Sequence, residues 1–342
     1  MVYKIGAVTE VTEKRLRAEA VIFSTKDIAK YRRRKDSIIH RSRSGSEQSD
    51  IRSRTGRDRS TQSSVDNIDL SSLPGIRCFS DRALLGLLKT FAGIHRDKTI
   101  LSWNNDFRLG AGVGAMSINL LFGMDAGWAV EGAVGSMYKI DATYLSPHVN
   151  MASRMMSATK QYRLHFLLSQ AVHKLLSENA QSKLRHVDTV AVKGSSVQQK
   201  IFTYDARVRT DFFLYGKSKS QDDADSDRYT PEIWNVDQDL VAMRNHICDE
   251  FTETFNRGRE EYLSGNWPTA IKLLKSANNI MVEQLVNEGY SGSKNLIDLP
   301  DDDEVEERHL GDGPSQRLIT YMEELGGEAP KDWGGYRQLT SK

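Results

Sequence analysis

Two side chains of a predicted helix, Asn150 and Arg154, have types and spacing suited to phosphoryl chemistry. The run VNMASRMMSATK from residue 149 is rich in Ala, Met and Arg, which favour a helix, and Pro147 suits the start of one. Residues four apart share a helix face. An amide can fix a sugar or base hydroxyl, and a planar guanidinium can stabilise charge on a transferring phosphoryl group. Taken alone, the pair more often means an Asn near a helix start and a solvated Arg.

Two short apolar segments precede this helix and would have to position it. Met116–Met124 and Trp128–Val134 are bounded by turn residues and predict two buried strands. Glycines at 127, 132 and 135 lack a Cβ, so the backbone can turn sharply or pass close to another group there. We therefore expect a strand, a turn and a second strand to lead the chain into the helix.

Apolar periodicity predicts further elements around this unit. They are a helix over Ser80–Ile94 with Ser80 as its cap, a strand over His165–Leu168, a helix over Ser169–Glu178, and strands over Val187–Val192 and Gln199–Tyr204. The histidines at 148, 165, 173 and 186 lack the spacing of a metal site.

The segment GMDAGWAVEGAVGS, followed by YLSPHVNMASRM, resembles the catalytic domain of the class III nucleotidyl (adenylate/guanylate) cyclases, and it is most similar to the protist branch. The likeness continues through Leu167–Ser169 and VDTVAVKGSSVQQKIFTYDA, and it covers about residues 70–206. The resemblance implies an α/β (α+β) fold with a ferredoxin-like, cyclase-type sheet and flanking helices. It also implies a dimer with active sites between the subunits.

The same resemblance assigns roles to three residues. Asn150 would orient the ribose, and Arg154 would stabilise the transition state that leads to cAMP or cGMP and pyrophosphate. Thr143 lies seven residues before Asn150, where the family places an Asp, Thr or Ser that contacts the base. Because a hydroxyl both donates and accepts hydrogen bonds, Thr143 does not decide between ATP and GTP.

The family's metal site is the missing part of the pattern. Family cyclases hold two Mg²⁺ (or Mn²⁺) ions with two aspartates, and these ions prefer oxygen ligands. Neither aspartate is found: YKIGAV at 3–8 has Ala7 where one would be expected, and Asp125 is not a ligand by this pattern. We expect a homodimer to be inactive, and catalysis to require a metal-binding partner subunit. A chain lacking upstream segments would look the same, and the alternative is a non-catalytic pseudo-cyclase that dimerises as a regulatory module.

Composition divides the chain into four parts. Residues 1–68 form a largely disordered Arg/Ser-rich segment, 70–212 the cyclase homology domain, 213–232 a charged linker and 233–342 a helical region. The composition of the Arg/Ser tract indicates either a solvated insertion or a regulatory segment that can be phosphorylated. Because no aromatic platform accompanies it, no nucleic-acid partner is expected.

The C-terminal region predicts helices packed as an appendage. Leu240, Met243, Ile247, Phe251 and Phe255 follow a 3–4 spacing that ends at Gly265, and WPTAIKLLKSANNIMVEQLV predicts the second helix of a hairpin. The acidic run 298–307 should be a solvated loop. DGPSQRLITYMEEL then predicts a short helix with Pro near its start.

Charge and cysteine content set the cellular context. The net charge is +1, so the protein as a whole has no electrostatic attraction to nucleic acid or to a membrane surface. The apolar content of 39% is typical of a protein with a hydrophobic core. There is no apolar run of membrane-spanning length. The two cysteines, Cys78 and Cys248, lack metal-ligand spacing and fit a reducing compartment. We therefore expect a cytoplasmic protein that reaches a membrane only through a partner.

Overall fold

The computed structural model describes residues 75–97, 99, 120–135, 140–192, 198–207, 229–287 and 311–339, all within one compact unit. The strands are β1 (Phe122–Met124), β2 (Val130–Gly135), β3 (Ile140–Leu145), β4 (Phe166–Ser169), β5 (Leu184–Val192), β6 (Gln198–Tyr204) and β7 (Arg337–Leu339). The helices are α1 (Ile76–Arg96), α2 (Pro147–Tyr162), α3 (Gln170–Leu175), α4 (Glu178–Gln181), α5 (Ile233–Val236), α6 (Gln238–Met243), α7 (Asp249–Ser264), α8 (Trp267–Asn287) and α9 (Gly313–Glu324).

Predictions for the Arg/Ser segment 1–68, the linker up to residue 228 and the acidic run 298–307 lie outside the described residues. Among the helices that are described, none is long and apolar enough to cross a membrane.

Within the described residues the main sheet has five strands in the order β1-β4-β6-β5-β7, and β2 and β3 form a separate two-stranded hairpin. The pairs β1–β4 and β5–β7 are parallel, while β4–β6 and β5–β6 are antiparallel. The sheet is curled and flanked by helices, which confirms the predicted α/β fold class.

Both faces of the central strands are covered, because neighbouring side chains on a strand point to opposite sides of a sheet. Phe166 and Leu168 of β4 belong to a core built with α1, α5 and α6. Leu167, between them, belongs to a second core built with α2 and β5. All four residues of β4 are therefore buried, and α2 packs directly on the sheet.

Helix α1 differs from its prediction at the N-terminal end. The apolar stripe that includes Leu84, Leu88 and Phe91 is buried as expected. The helix begins at Ile76, however, and Ser80 lies buried inside it rather than capping it. The second turn is instead tied to another element, since Asp81, next to Ser80, accepts a hydrogen bond from the backbone N–H of Ser177, just before α4 (2.8 Å).

The predicted continuous segment from Leu240 to Phe255 is broken into α6 and α7. Carbonyl oxygens inside a helix accept from the N–H four residues later. Met243 O instead accepts from Arg207 N (3.0 Å), beyond the end of β6, so the helix stops there. The Cys248 sulfur then caps α7. The two halves belong to different cores, which the 3–4 spacing alone could not reveal.

The predicted helical hairpin and the predicted short helix with Pro near its start are both confirmed. Helices α7 and α8 form an antiparallel hairpin, and Gly265 ends α7 in a left-handed conformation (φ 91°). Helix α9 begins with Pro314 in its first turn. Trp267, Trp333, Tyr262 and Tyr321 pack together where α7, α8, α9 and the segment after α9 meet.

The chain after α9 returns to the sheet as β7, a strand that the sequence did not predict. Arg337 pairs with Val190 in register, and its Nε donates to Asp188 Oδ2 of β5 (2.8 Å). The hydroxyl of Tyr162 at the end of α2 donates to the same carboxylate oxygen (2.6 Å). The C-terminal region is therefore part of the sheet as well as a helical appendage.

A second buried ion cluster joins the start of β5 to α9. Arg185 Nε donates to Asp205 Oδ2 (2.9 Å), and its Nη2 donates to Asp312 Oδ1 (2.8 Å), the carboxylate that caps α9. All three side chains are at most 4% exposed. The guanidinium also lies 4.3 Å from the centre of the Phe255 ring of α7. Opposite charges compensate one another here in a site that excludes water.

Candidate active site

Helix α2 presents one face to the core and another to solvent. Met155, Ala158 and Tyr162 are buried against the sheet, and they fix the rotation of the helix about its axis. Asn150 and Arg154 lie on the exposed side. The predicted helix is thus present, with both polar residues directed away from the core. Their catalytic roles remain a prediction.

The hairpin of β2 and β3 leads straight into α2. Its backbone pairing runs from Val130↔Leu145 to Gly135↔Ile140 and places Thr143 opposite Gly132. Strand β3 ends at residue 145, and α2 begins at residue 147. The backbone of Thr143, the predicted base-contacting position, therefore lies four residues before the N-terminus of the helix.

Ser146, between β3 and α2, fixes this junction. Its hydroxyl accepts a hydrogen bond from His148 N (3.0 Å) and so caps the helix, as Ser commonly does. The same hydroxyl donates to the backbone carbonyl of Trp128 (2.5 Å), just before β2. The start of α2 is thereby tied to the segment that enters the hairpin.

A buried carboxylate joins three elements at the same end of the site. Asp125, directly after β1, has a side chain only 4% exposed, and its Oδ2 lies 2.9 Å from His148 Nδ1. The Ser169 hydroxyl at the end of β4 donates to Asp125 Oδ1. Charge-assisted hydrogen bonds of this kind are short and directional. The network therefore holds the first turn of α2, two residues before Asn150.

Sequence reasoning missed this network because its members are far apart in the chain. Asp125 is 23 residues from His148 and 44 from Ser169, so no local spacing connects them. The sequence pattern indicates that neither Asp125 nor His148 is a metal ligand, and the structure gives them this positioning contact with one another. A polar residue directly after a predicted strand was the one available signal.

Two glycines allow β1 and α2 to approach at backbone distance. A Cβ on Gly123 would lie 2.2 Å from both Ala152 O and Met156 N of α2. A Cβ on Gly127 would lie 2.1 Å from the His148 ring. Real Cβ atoms do not approach so closely, so only glycine fits. The predicted close approach at Gly127 is confirmed, whereas Gly123 was not singled out.

The two predicted buried strands need correction. Among the described residues of Met116–Met124, only Phe122–Met124 form a strand, and all three are half-buried. This short strand is at the sheet edge, so β4 is its single partner there. Trp128 precedes β2 instead of starting it, and its side chain is 47% exposed. Its carbonyl accepts a hydrogen bond from the Ser146 hydroxyl.

The described residues do not fit a two-Mg²⁺ site. Within them, no group of three or more His, Cys, Asp or Glu side chains could hold a metal ion. Asp125, the carboxylate beside the start of α2, is buried and engaged by His148 and Ser169. Mg²⁺ needs several accessible oxygen ligands in near-octahedral geometry. No metal-dependent step is therefore assigned to the described part of the chain.

Comparisons with known proteins identify the segment that carries these elements. Residues 85–206 match the family model of the adenylate and guanylate cyclase catalytic domain. The chain is also similar to an adenylate cyclase of Anabaena cylindrica, with 32% identity over 113 residues. That match covers 32% of this chain and 22% of the relative, so the chain spans about a fifth of the relative's length. Residues 85–206 thus belong to the class III nucleotidyl cyclase catalytic domains.

Proposed function

We propose that this domain takes part in making cAMP or cGMP from ATP or GTP, and that it contributes Asn150 and Arg154 to an active site shared between two cyclase subunits. The observation that carries the proposal is the placement of both residues on the solvent-exposed face of α2. The opposite face is fixed by the core, and the first turn is held by Asp125 and Ser146. A rigid helix with an accessible polar face can present these groups to a substrate held by a second subunit.

The two side chains have complementary roles in this proposal. The Asn150 amide both donates and accepts hydrogen bonds, so it can orient the ribose whose 3′-oxygen attacks the α-phosphorus. Negative charge builds on the phosphoryl oxygens and on the departing pyrophosphate. The guanidinium of Arg154 offers a planar set of N–H donors to that charge. Thr143 would contact the base at the end of β3.

The metal ions are proposed to come with the partner subunit. The carboxylate closest to the helix start is already bonded to two protein side chains, so the described residues leave this half of the chemistry to another chain or segment. Mg²⁺ or Mn²⁺ would supply charge neutralisation for the triphosphate. The proposed active form is a dimer in which this chain provides the ribose and transition-state contacts.

A complementation assay tests this proposal. The purified chain is assayed alone and mixed with a complete cyclase domain whose own Asn/Arg pair has been replaced by Ala, using Mg²⁺ or Mn²⁺ and each of ATP and GTP. Activity should be present only in the mixture. Arg154→Ala should lower the rate by about 10²- to 10³-fold, the usual effect of removing one transition-state donor. Arg257→Ala, an exposed arginine of α7, is the matched control and should keep the activity.

The second candidate is a non-catalytic pseudo-cyclase that dimerises as a regulatory module. The engaged state of Asp125 favours it, because that carboxylate is unavailable as a metal ligand. Light scattering must first show that the mixture forms heterodimers. Heterodimers without cyclase activity would contradict the catalytic proposal and favour the regulatory one. Activity of the chain alone would refute the expected dependence on a partner.

A further inference from the structure

A cleft with strongly cationic walls lies at the other end of α2. Its volume is about 780 Å³, and its walls come from the last turn of α2, the middle of α8 and the first half of α9. The lining includes four cations, Lys160, Arg163, Lys275 and Arg317, together with four amide side chains. None of the lining residues within the described part of the chain carries a carboxylate. Positive groups from three different helices therefore face one space.

One of these cations has a buried donor without a partner. Arg317 Nε is shielded from solvent and makes no hydrogen bond within the described part of the protein. A buried, charged donor that lacks an acceptor carries its full desolvation cost. Lys160, across the cleft, is exposed and forms no ion pair among the described residues. Lys160 and the guanidinium of Arg317 thus leave positive charge at the cleft that an anion can balance.

Arg163 occupies a backbone position that usually selects glycine. It follows α2 in the left-handed conformation (φ 53°), where residues with a Cβ are disfavoured. Its guanidinium Nη1 donates to Gln316 Oε1 of α9 (2.7 Å). The left-handed turn therefore carries a long cationic side chain that reaches across to α9 and lines the cleft.

The carboxylates closest to the cleft are already neutralised. Asp312 accepts from Arg185 and from Ser315 N at the start of α9. Glu323 pairs with Lys275 (2.8 Å), but both side chains are more than half exposed, so this ion pair is weak and open to competition. The C-terminal carbonyls of α2 attract Lys160 and Arg163 to some extent. They do not account for Arg317 and Lys275, which lie on other helices.

We propose that this cleft binds a small molecule that carries a phosphate or polyphosphate group. Guanidinium groups match the oxygen geometry of phosphate, and Arg163 and Arg317 both line the cleft. The volume lies within the range of small-molecule sites. The cleft is distinct from the proposed active site, since Asn150 and Arg163 are separated by about 20 Å along α2.

Calorimetric titration with inorganic pyrophosphate tests the proposal on the full chain. Asn150→Ala and Arg154→Ala are introduced first, so that the proposed active site does not contribute, and chloride holds the ionic strength constant. We expect saturable binding of one pyrophosphate per chain. Lys160→Gln and Arg317→Gln should each weaken the affinity at least tenfold. Lys272→Gln, an exposed lysine of α8 outside the cleft lining, should leave it unchanged.

Thermal unfolding in chloride checks that each variant is folded, and the exposed position of Lys160 keeps the test valid if Arg317→Gln unfolds. Absence of saturable binding would overturn the proposal, as would equal affinity in Lys160→Gln and its parent.

Discussion

Replacing Arg337 by Met should destabilise the protein strongly, because it removes the cation that compensates the buried carboxylate of Asp188. Methionine keeps most of the aliphatic volume and removes the charge. Arg337 Nε lies 2.8 Å from Asp188 Oδ2, and the two side chains are 3% and 0% exposed. The guanidinium carbon also lies 4.8 Å from the centre of the Tyr162 ring, so a cation–π contact is lost as well.

The size of the effect follows from what remains around Asp188. Breaking a buried ion pair by deleting one partner costs roughly 3–5 kcal/mol. Asp188 would still accept hydrogen bonds from the Tyr162 hydroxyl and from Thr189 N, which places the loss near the lower limit. We therefore expect a decrease of about 3 kcal/mol in the free energy of unfolding at pH 7.5. Changing Asp188 to Asn in the same chain should restore at least about 1.5 kcal/mol, because no uncompensated charge is then buried.

The pH dependence gives an independent check with a definite sign. Burial raises the pKa of Asp188, and Arg337 counteracts that rise. Without Arg337 the pKa of this carboxyl should rise further, so the folded variant binds a proton more readily than the unfolded chain does. The loss of stability in Arg337→Met is then complete at pH values above the pKa of Asp188 in the folded variant. It vanishes as the pH falls below the pKa of Asp188 in the unfolded chain. The difference between wild type and Arg337→Met should shrink as the pH is lowered.

Urea unfolding followed by tryptophan fluorescence at several pH values measures these quantities. Gln338→Met, an exposed substitution in the same strand, is the control for local changes in β7 and should have little effect. A loss below about 1 kcal/mol for Arg337→Met would refute the reasoning, because surface pairs contribute that much or less. A deficit that stays constant with pH would show that Asp188 is not the group left uncompensated.

Three further predictions concern the site and the core. Gly123→Ala should lower the free energy of unfolding by about 3 kcal/mol, since the new Cβ meets the backbone of Met156. Gly86→Ala is the control, because its Cβ would have no neighbour within 4 Å and should not destabilise the protein. Chemical denaturation measures both variants. Asp125→Asn should lower kcat in the complementation assay about tenfold with little change in Tm, because it loosens the first turn of α2. An unchanged kcat would show that Asp125 does not position this helix for catalysis. Burial lowers the pKa of His165 from 6.5 to about 4. The stability that the neutral imidazole contributes is therefore fully present above pH 6.5 and is lost as the pH falls to 4, by roughly 3 kcal/mol. Thermal unfolding at several pH values should show that Tm falls less steeply with acidification in His165→Gln than in the wild type.

The elements that the sequence predicted well are those decided by local pattern. The helix with Asn150 and Arg154 is 16 residues long, has a Pro at its start and an apolar face, and is preceded directly by its Ser cap. The α7–α8 hairpin likewise follows from apolar spacing and a left-handed glycine at Gly265. Such signals act between neighbours in the chain, so one sequence contains them in full.

The contacts that the sequence could not reveal join distant segments. Asp188 and Arg337 are 149 residues apart, and Arg185 and Asp312 are 127 apart, so no spacing rule connects them. The break before α7 also depends on a distant donor, Arg207 N. Tertiary contacts override local propensity at these positions, and the placement of β7 in the sheet depends on them.

The position of β7 shows that the folded domain extends beyond the segment that matches the cyclase family. The family match ends at residue 206, yet β5 has its outer neighbour in residues 337–339. A protein cut at 206 would leave the β5 edge unpaired and would bury Asp188 without its cation, and exposed strand edges invite aggregation. The sheet also closes a loop of about 145 residues, which delays its completion during folding. The smallest soluble cyclase fragment of this chain should therefore retain the region through residue 339.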